Sequence, residues 1–354
     1  MPDTYFSLKP EDQADLLTEA AAATGREAHL LEKDIWVVWA LEILFTSDLA
    51  NQIVFKGGTS LSKAHKAIDR FSEDIDLTYD IRRLLPDIVT DPAAIPPSNA
   101  QADKWTKAAR ERLPKWLQGN VVPLFSSAMK AVGNDAAFEL SGELKDTLVV
   151  GYKALKEGTG YAKPNIRLEF GARSTGEPYE AMQVDCDIAS HFPEVVFPKI
   201  TASVMKMERT FWEKATAIHV FCKQAQLRGE RLSRHWYDVS VLLGTERIRT
   251  SLEDKSWLRQ VVQHKSMFFR MKDKDGSAIS YEECLHGHLN LIPKGEALQA
   301  LRADYDSMTE DGILFARAPA FDAVLEECAK IEAVINRLYS ATETSEEDSS
   351  SPQP

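Results

Sequence analysis

The residues that point most directly to chemistry are two aspartates, Asp74 and Asp76, in the run DIDLTY. Polar and apolar residues alternate in this run, which predicts a β-strand whose side chains at i and i+2 share a face. Two carboxylates on one face repel each other unless a cation lies between them. Mg²⁺ is bound by one or two carboxylates together with substrate phosphates. The pair therefore predicts a magnesium site that handles a phosphate-bearing substrate.

A glycine turn at Gly57 and Gly58 lies shortly before the aspartates. It ends a β-branched and aromatic run at 52–56, which predicts a strand. Exposed backbone N–H groups in such a turn, followed by a helix N-terminus, can hold a phosphate. Either feature alone is usually structural, whereas a strand, glycine turn, helix and acidic strand in succession form a far more specific pattern. The residues predicted to bind the nucleotide phosphates are Gly57, Gly58, Thr59, Ser60, Lys63 and Arg70.

The elements that must position these residues form a mixed α/β first half and a helical second half. This order fits the α+β class better than a doubly wound sheet. A helix is predicted to follow the glycine turn through about Ile68, with Thr59 or Ser60 as its N-cap. The proline-rich stretch 80–103 is predicted to be a loop or an insertion across the active-site mouth. Further predicted helices cover 10–23, 35–45, 104–132 and 208–222, and further predicted strands cover 74–79, 147–152, 165–170 and 182–188.

Composition describes an ordinary globular protein. The chain has 354 residues, 44% of them hydrophobic and 27% charged, with a formal net charge of −12. An acidic balance argues against a protein that coats nucleic acid, but it allows a local basic groove. Four cysteines without a CxxC pair indicate reduced thiols rather than a zinc or disulfide framework. The sequence carries neither a signal-peptide pattern nor a long apolar run, which predicts a cytoplasmic protein without membrane contact.

The segment KGGTSLSKAHKAIDRFSEDIDL, from Lys56 to Leu77, resembles motif I of the AbiEii/AbiGii nucleotidyltransferase toxin family. That family is related to the DNA polymerase beta-type nucleotidyltransferases and to the MenT toxins. The upstream EKDIWVVWALEILF also resembles it, as do ERTFWEKATAIH (208–219), RHWYDVSVLL (234–243) and VVQHKSMFFR (261–270). The resemblance implies a polymerase-beta-like first half with a mixed sheet, followed by a mostly helical second half.

The same resemblance implies two domains, as the length of the chain also suggests. A nucleotidyltransferase core is predicted at 1–200, with an insertion around 80–145, and a helical domain is predicted at 201–340. The tail at 341–354 carries four acidic residues and no basic one, and this composition predicts disorder.

Carried onto this chain, the family pattern makes Asp74 and Asp76 the metal ligands and assigns the glycine turn, with Ser60, to the nucleotide phosphates. It makes Lys214 the lysine that meets the triphosphate, and Asp238 the acidic residue of the third motif. From the residues alone, Lys214 on an apolar helix could equally lay its stem along that face and reach solvent.

Polymerase-beta-type enzymes use a third carboxylate from a neighbouring strand, and two segments offer one. Glu169, in NIRLEFGAR, is favoured because LEFGAR also resembles the family. Asp185 or Asp187, in QVDCDIAS, repeats the i, i+2 spacing. The structural alternative is that Glu169 only pairs with Arg167 or Arg173, as a carboxylate on an apolar strand needs a partner.

For the reaction, the resemblance implies a toxin of a toxin–antitoxin or phage-defence pair that transfers NMP from an NTP to RNA. The expected acceptor is tRNA, and the expected partner is a separately encoded antitoxin. Two alternatives stay open: nucleotidylation of a protein or small-molecule hydroxyl, and a module that holds NTP without turnover. A basic cluster could bind an RNA backbone or simply form a solvated loop. Its members are Lys223, Arg228, Arg231, Arg234 and His235.

Overall fold

The structure is a computed structural model that describes residues 3–72, 74–134, 137–142, 145–158, 163–224, 227, 231–315 and 318–340. The predicted tail at 341–354 and Arg228 of the basic cluster lie outside the described residues. The chain forms two compact units. The first comprises Met1–Ala94, Asp103–Lys206 and Asp311–Ala316, and the second comprises Ile95–Ala102, Met207–Glu310 and Arg317–Pro354.

The chain up to residue 206 contains both strands and helices. The strands are β1 Asp3–Thr4, β2 Ile53–Lys56, β3 Asp74–Tyr79, β4 Phe138–Ser141, β5 Thr147–Gly151, β6 Asn165–Gly171, β7 Tyr179–Asp185, β8 Val195–Val196 and β9 Lys199–Met205. The helices are α1 Pro10–Thr24, α2 Ala28–Phe45, α3 Gly57–Lys63, α4 Ile81–Leu84, α5 Asn99–Trp116 and α6 Val122–Ala131. A π-helical turn at Leu117–Val121 joins α5 to α6.

One mixed sheet organises the first unit. Its strand order is β4-β5-β6-β3-β2-β9-β7. The β3–β6 and β2–β9 pairs are parallel, and the other neighbours are antiparallel. A separate parallel pair joins β1 to β8. A mixed sheet followed by a helical half confirms the α+β class predicted from the sequence.

Burial alternates along β6 and defines the two faces of the sheet. Ile166 and Leu168 are fully buried, whereas Arg167 and Glu169 between them are only half-buried. Helix α2 packs against β6 and β9. Its apolar residues lie on all sides of the helix, which is the pattern of a helix buried all round. The sheet therefore keeps one apolar face for the core and leaves polar side chains on the other.

The stretch 80–103 is more regular than predicted. It contains α4 and the first residues of α5. The carboxylate of Asp80 caps α4 by accepting the backbone N–H of Arg82 at 2.9 Å. At the end of α5, the Trp116 ring stacks on Tyr79 of β3, with 3.9 Å between ring centroids. The prediction of a loop is therefore wrong for these helical segments.

Helix α3 also differs from its prediction at both ends. It begins at Gly57 and ends at Lys63 rather than near Ile68. Thr59 and Ser60 lie inside the helix, so the prediction that one of them is the N-cap is wrong. Gly57 adopts a φ of 75°, which glycine tolerates without steric cost. The glycine turn and the first turn of the helix therefore coincide.

Strands β4 and β9 have no counterpart in the prediction. The sequence predicts no element between the strand at 182–188 and the helix at 208–222, but β9 occupies Lys199–Met205. Its centre is Thr201, Ala202 and Ser203, small or polar residues that give little apolar alternation. Pairing with β7 along its whole length and with β2 at Val204 determines this strand. Tertiary pairing thus overrides a weak local pattern.

The second unit is helical. Its core includes Trp212 and Trp236, both fully buried, and the indole N–H of Trp236 donates to the Leu291 carbonyl at 2.7 Å. Among the described residues, every helix is too short or too polar to cross a lipid bilayer. The helices after residue 206 are α7 Met207–Lys223, α8 Arg234–Leu242, α9 Glu246–Ser251, α10 Ser256–Phe268, α11 Gly295–Glu310 and α12 Phe321–Ser340.

Candidate active site

Strands β3 and β6 bring the acidic residues of the first unit together. In their parallel register, Asp74 lies opposite Arg167 and Asp76 lies opposite Glu169. Ile75, between the aspartates, is fully buried. Because side chains alternate along a strand, the carboxylates project to the other side. Three carboxylates therefore share one face of two strands that are about 4.8 Å apart.

Arg167 bridges two of these carboxylates. Its Nε lies 3.2 Å from Asp74 Oδ1, and its Nη2 lies 3.0 Å from Glu169 Oε1. Burial raises the pKa of Glu169, and the charges of Asp76 and Asp74 raise it further, against the lowering effect of Arg167. The pairing considered as a structural alternative is thus present. Arg167 contacts Asp74 and Glu169 but forms no ion pair with Asp76 among the described residues, so this pairing leaves the Asp76 charge unbalanced.

The side chain of Asp76 lies against a glycine. A Cβ added at Gly57 would overlap the Asp76 carboxylate, so only glycine allows α3 to approach β3 this closely. Within the described part of the chain, the Asp76 side chain makes no hydrogen bond or ion pair. In the register of the sheet, this half-buried carboxylate lies between Lys56 of β2 and Glu169 of β6, and among the described residues it is paired with neither.

The hydroxyls of Thr59 and Ser60 are used inside the turn. Thr59 Oγ1 donates to the backbone carbonyl of Asp74 and lies 2.8 Å from Ser72 Oγ. Ser60 Oγ donates to the Gly57 carbonyl at 2.9 Å. Both residues are fully buried. The first hydroxyl fastens α3 to β3 and the second closes the first turn of α3, while their predicted contact with phosphate stays a prediction.

Arg70 and Lys63 are buried as well. The Arg70 guanidinium packs so tightly against Gly58 that a Cβ on this glycine would overlap it. Lys63 Nζ lies 2.6 Å from Asp34 Oδ1 and 2.5 Å from Asp187 Oδ1. The ammonium predicted to bind phosphate is therefore held between two carboxylates.

Lys214 and Asp238 pair with each other inside the second unit. Lys214 on α7 approaches Asp238 on α8, with Nζ 2.9 Å from Oδ2. The Lys214 side chain is 9% exposed, and Asp238 is fully buried. Lys214 therefore does not reach into solvent, which excludes the snorkelling alternative. A fully buried carboxylate requires such a partner, so Asp238 fixes the position of the ammonium.

Comparison with known protein families identifies the chain. The profile described as nucleotidyl transferase AbiEii toxin of type IV toxin–antitoxin systems matches residues 39–327. The chain belongs to this family. The matched segment contains the glycine turn, the acidic pair, Glu169, Lys214 and Asp238. The AbiEii toxins are nucleotidyltransferases, so nucleotidyl transfer in general is the activity of the family.

Two solved structures are similar to this AbiEii chain. MenT4, a nucleotidyltransferase toxin from Mycobacterium tuberculosis H37Rv, is 16% identical, with a TM-score of 0.49 over 92% of this chain and 89% of MenT4. JHP933 from Helicobacter pylori is 15% identical, with a TM-score of 0.39 over 90% of this chain and 96% of JHP933. No curated protein sequence matches the chain. Both TM-scores are below 0.5, so the family assignment depends on the sequence match.

The acidic face of this AbiEii protein fits a hard divalent cation. Asp74 and Asp76 offer oxygen ligands on one strand face, and Glu169 adds negative charge that Arg167 does not balance. No set of three His, Cys, Asp or Glu side chains among the described residues could hold a metal ion by itself.

The other candidates for a third carboxylate lie elsewhere. Asp185 ends the edge strand β7, which β9 and β2 separate from β3, and it accepts a hydrogen bond from Gln183 at 2.8 Å. Asp187 belongs to the Lys63 cluster. Of the three candidates, Glu169 is the one beside Asp76.

Sequence reasoning missed Asp34 and the bridging position of Arg167. A signal for Asp34 was present, because it lies in EKDIWVVWALEILF, a segment that resembles the family. Charged residues are almost never fully buried unless paired, yet Glu32, Lys33 and Asp34 are each at most 4% exposed. Three successive charges in the first half of a largely apolar helix therefore predict buried partners.

Proposed function

We propose that this chain is a Mg²⁺-dependent nucleotidyltransferase toxin of the cytoplasm, which transfers NMP from an NTP to an RNA acceptor, tRNA in the first instance. Family membership supports nucleotidyl transfer in general. One observation carries the finer proposal: Asp74, Asp76 and Glu169 share the face of β3 and β6 beside the glycine turn. A cation and a bound triphosphate together would balance this charge.

In this proposal, Asp74 and Asp76 hold Mg²⁺, and backbone N–H groups at the glycine turn receive the nucleotide phosphates. When bound, the ion would neutralise negative charge on the triphosphate and on the departing pyrophosphate. The residues proposed for the phosphate site are Gly57, Gly58, Thr59, Ser60 and Arg70.

We assign to Glu169 the role of accepting the proton of the attacking hydroxyl. Its pKa is raised by burial and by the neighbouring carboxylates, which makes it a better proton acceptor near neutral pH than an ordinary glutamate. The acceptor oxygen bonds to the α-phosphorus while the bond from that phosphorus to the bridging oxygen breaks. The proton moves to Glu169, and pyrophosphate leaves.

The other two charged residues of the proposed site are Lys214 and Asp238. Lys214 is the lysine that we propose to meet the triphosphate, and the buried Asp238 carboxylate, 2.9 Å from its Nζ, orients the ammonium. The corresponding domain assignment is a nucleotidyltransferase core at 1–200, with an insertion around 80–145, and a helical domain at 201–340.

Membership of a toxin–antitoxin family supports the antitoxin partner, and the RNA acceptor is our own proposal. The basic cluster is the proposed contact for the RNA backbone. Lys223 pairs with Glu283 inside the second unit, and the backbone N–H of Arg231 donates to Asp304 Oδ1 at 2.6 Å. Arg234 and His235, at the start of α8, are further members of the proposed contact.

The test is a transfer assay with each of the four NTPs labelled at the α-phosphate. Wild type, Asp76→Asn and Asp48→Asn are incubated with Mg²⁺ and either bulk tRNA or total cell protein. Asp48 is an exposed aspartate of the same unit, so its variant is the matched control. We expect label on tRNA with wild type and Asp48→Asn, and a loss of about a hundredfold or more with Asp76→Asn.

Each other outcome overturns part of the proposal. Label on protein instead of tRNA would replace the RNA acceptor by a protein hydroxyl. NTP binding without transfer to either acceptor would make the chain a binding module. Equal transfer by Asp76→Asn and wild type would remove the acidic pair from the chemistry.

A further inference from the structure

A cluster of charges is enclosed where α2, α3 and the end of β7 meet. Lys63 Nζ lies 2.6 Å from Asp34 Oδ1 and 2.5 Å from Asp187 Oδ1. The backbone N–H of Asp187 donates to Asp34 Oδ2 at 2.8 Å, and Arg26 pairs with the second oxygen of Asp187. The side chains of Lys63 and Asp34 are 7% and 6% exposed. One ammonium thus joins three chain segments that are distant in sequence.

The cluster is costly to build. Removing two charges from water carries a desolvation penalty of several kcal/mol per ion, which good geometry and extra hydrogen bonds must offset. Burial lowers the pKa of the Lys63 ammonium, but the Asp34 and Asp187 carboxylates outweigh that effect and leave the pKa raised. The lysine therefore stays charged, and losing either the lysine or Asp34 would leave its partner uncompensated.

The opposite end of α3 touches both residues of the acidic pair. Gly57 lies against the Asp76 carboxylate, and Thr59 Oγ1 donates to the Asp74 carbonyl. Helix α3 has seven residues, a length of about 10 Å at 1.5 Å per residue. A helix this short is not stable in isolation. Its position therefore depends on what holds each end, and Lys63 is its last residue.

We infer that Lys63 and Asp34 are positioning residues, which anchor the end of α3 so that its start holds Asp74 and Asp76 in metal-binding geometry. The inference rests on the proposed function. It replaces the phosphate contact predicted for Lys63. It also gives a positioning role to the segment EKDIWVVWALEILF, which contains Asp34. Asp187 completes the anchor from the end of β7.

A cycle of variants separates positioning from direct contact with phosphate. Asp34→Asn and Lys63→Met each remove one charge and leave the other without this partner. The double variant removes both charges, so it can still be measured if a single variant unfolds. Lys66→Met is the matched control, because Lys66 is an exposed lysine just after α3. All are made in the full chain. The readouts are the Mg²⁺ concentration for half-maximal nucleotidyl transfer, and hydrogen exchange of the backbone amides at 57–61.

Positioning predicts that each single variant needs about tenfold more Mg²⁺, while the rate at saturating Mg²⁺ changes much less. The double variant should need no more Mg²⁺ than the worse single one, because both charges act through one contact. The amides at 57–61 should exchange faster in all three variants and at the wild-type rate in Lys66→Met. A variant that merely lost folded protein would lower the rate and leave the Mg²⁺ midpoint unchanged.

Two results would overturn the inference. One is a double variant whose Mg²⁺ requirement is the product of the two single effects. The other is wild-type exchange at 57–61 in all three variants, whether or not any protein transfers nucleotide. Absence of transfer by the wild type, combined with faster exchange in the variants, counts against the proposed function alone.

Discussion

The two units of the molecule treat buried negative charge in opposite ways. In the second unit, Asp238 is fully buried and Lys214 meets its charge at 2.9 Å. In the first unit, Asp74, Asp76 and Glu169 share a face on which Arg167 bridges Asp74 and Glu169, and Asp76 forms no ion pair among the described residues. Because uncompensated charge is costly to bury, a fold gains nothing from the second arrangement unless something else completes it. Charge balance, rather than acidity, thus distinguishes a cluster that needs a cation from an ion pair that is complete without one.

By the same criterion, the charges around Lys63 balance one another. We call such a balanced cluster closed, and we call the acidic face of β3 and β6 open. Two carboxylates meet a lysine and an arginine there. Its place in the fold is therefore structural, although it lies in the same short segment of sequence as the acidic pair. The contrast between open and closed clusters can be tested by removing one member of each.

The largest effect is expected for the closed pair. Asp238→Ala leaves the buried Lys214 without this carboxylate and should lower the free energy of unfolding by about 3–5 kcal/mol. Urea denaturation followed by fluorescence of the buried tryptophans measures the loss. The double variant Lys214→Met/Asp238→Leu should recover most of the stability and none of the transfer. A single variant as stable as the wild type would show that the pair is not closed.

The next largest effect is expected at Gly57, which lies against the Asp76 carboxylate. Gly57→Ala forces a Cβ into the Asp76 carboxylate and should reduce nucleotidyl transfer about a hundredfold, the cost of displacing a reacting group by about 1 Å. Gly25→Ala is the control, since Gly25 also has a positive φ of 69° but no atom within 4 Å of an added Cβ. Equal loss of transfer in both variants would attribute the effect to backbone strain.

The smallest effect is on stability at the open site. Asp76→Asn removes one of three mutually repelling charges, so the free energy of unfolding should stay unchanged or rise by up to about 1 kcal/mol. The same urea measurement used for Asp238→Ala provides the comparison. A loss above about 1 kcal/mol would mean that Asp76 stabilises the fold and that the two clusters do not differ in kind.

The part of the site that the sequence predicted is the part that is local in sequence. Gly57, Gly58, Asp74 and Asp76 lie on one strand–turn–helix–strand segment, so spacing alone brings them together. Glu169 reaches Asp76 only through the register of β3 with β6, and no pattern within either strand encodes that register. For this reason the sequence could not decide between Glu169 and Asp185.

The details that differ from the structure have similar physical causes. For Lys63, the phosphate contact stays a prediction, but its ion pairs with Asp34 and Asp187 were not foreseen because these carboxylates come from distant segments. The helix cap was misplaced because the positive φ at Gly57 starts the helix earlier than Thr59. Strand β9 was not predicted because its small or polar central residues show almost no alternation of polar and apolar side chains. The fold class was easier, since it depends only on the order of elements.

The parallel pairing of β3 and β6 has a consequence for how such an enzyme can diversify. Parallel neighbours require a long crossover, and here α4, α5, α6, β4 and β5 all lie within that excursion. The register that sets Asp76 opposite Glu169 is fixed by the two strands. The helical part of the excursion can therefore be lengthened, shortened or exchanged between relatives while the spacing of the carboxylates is preserved. Evolution can vary the surroundings of the site without having to reinvent its chemistry.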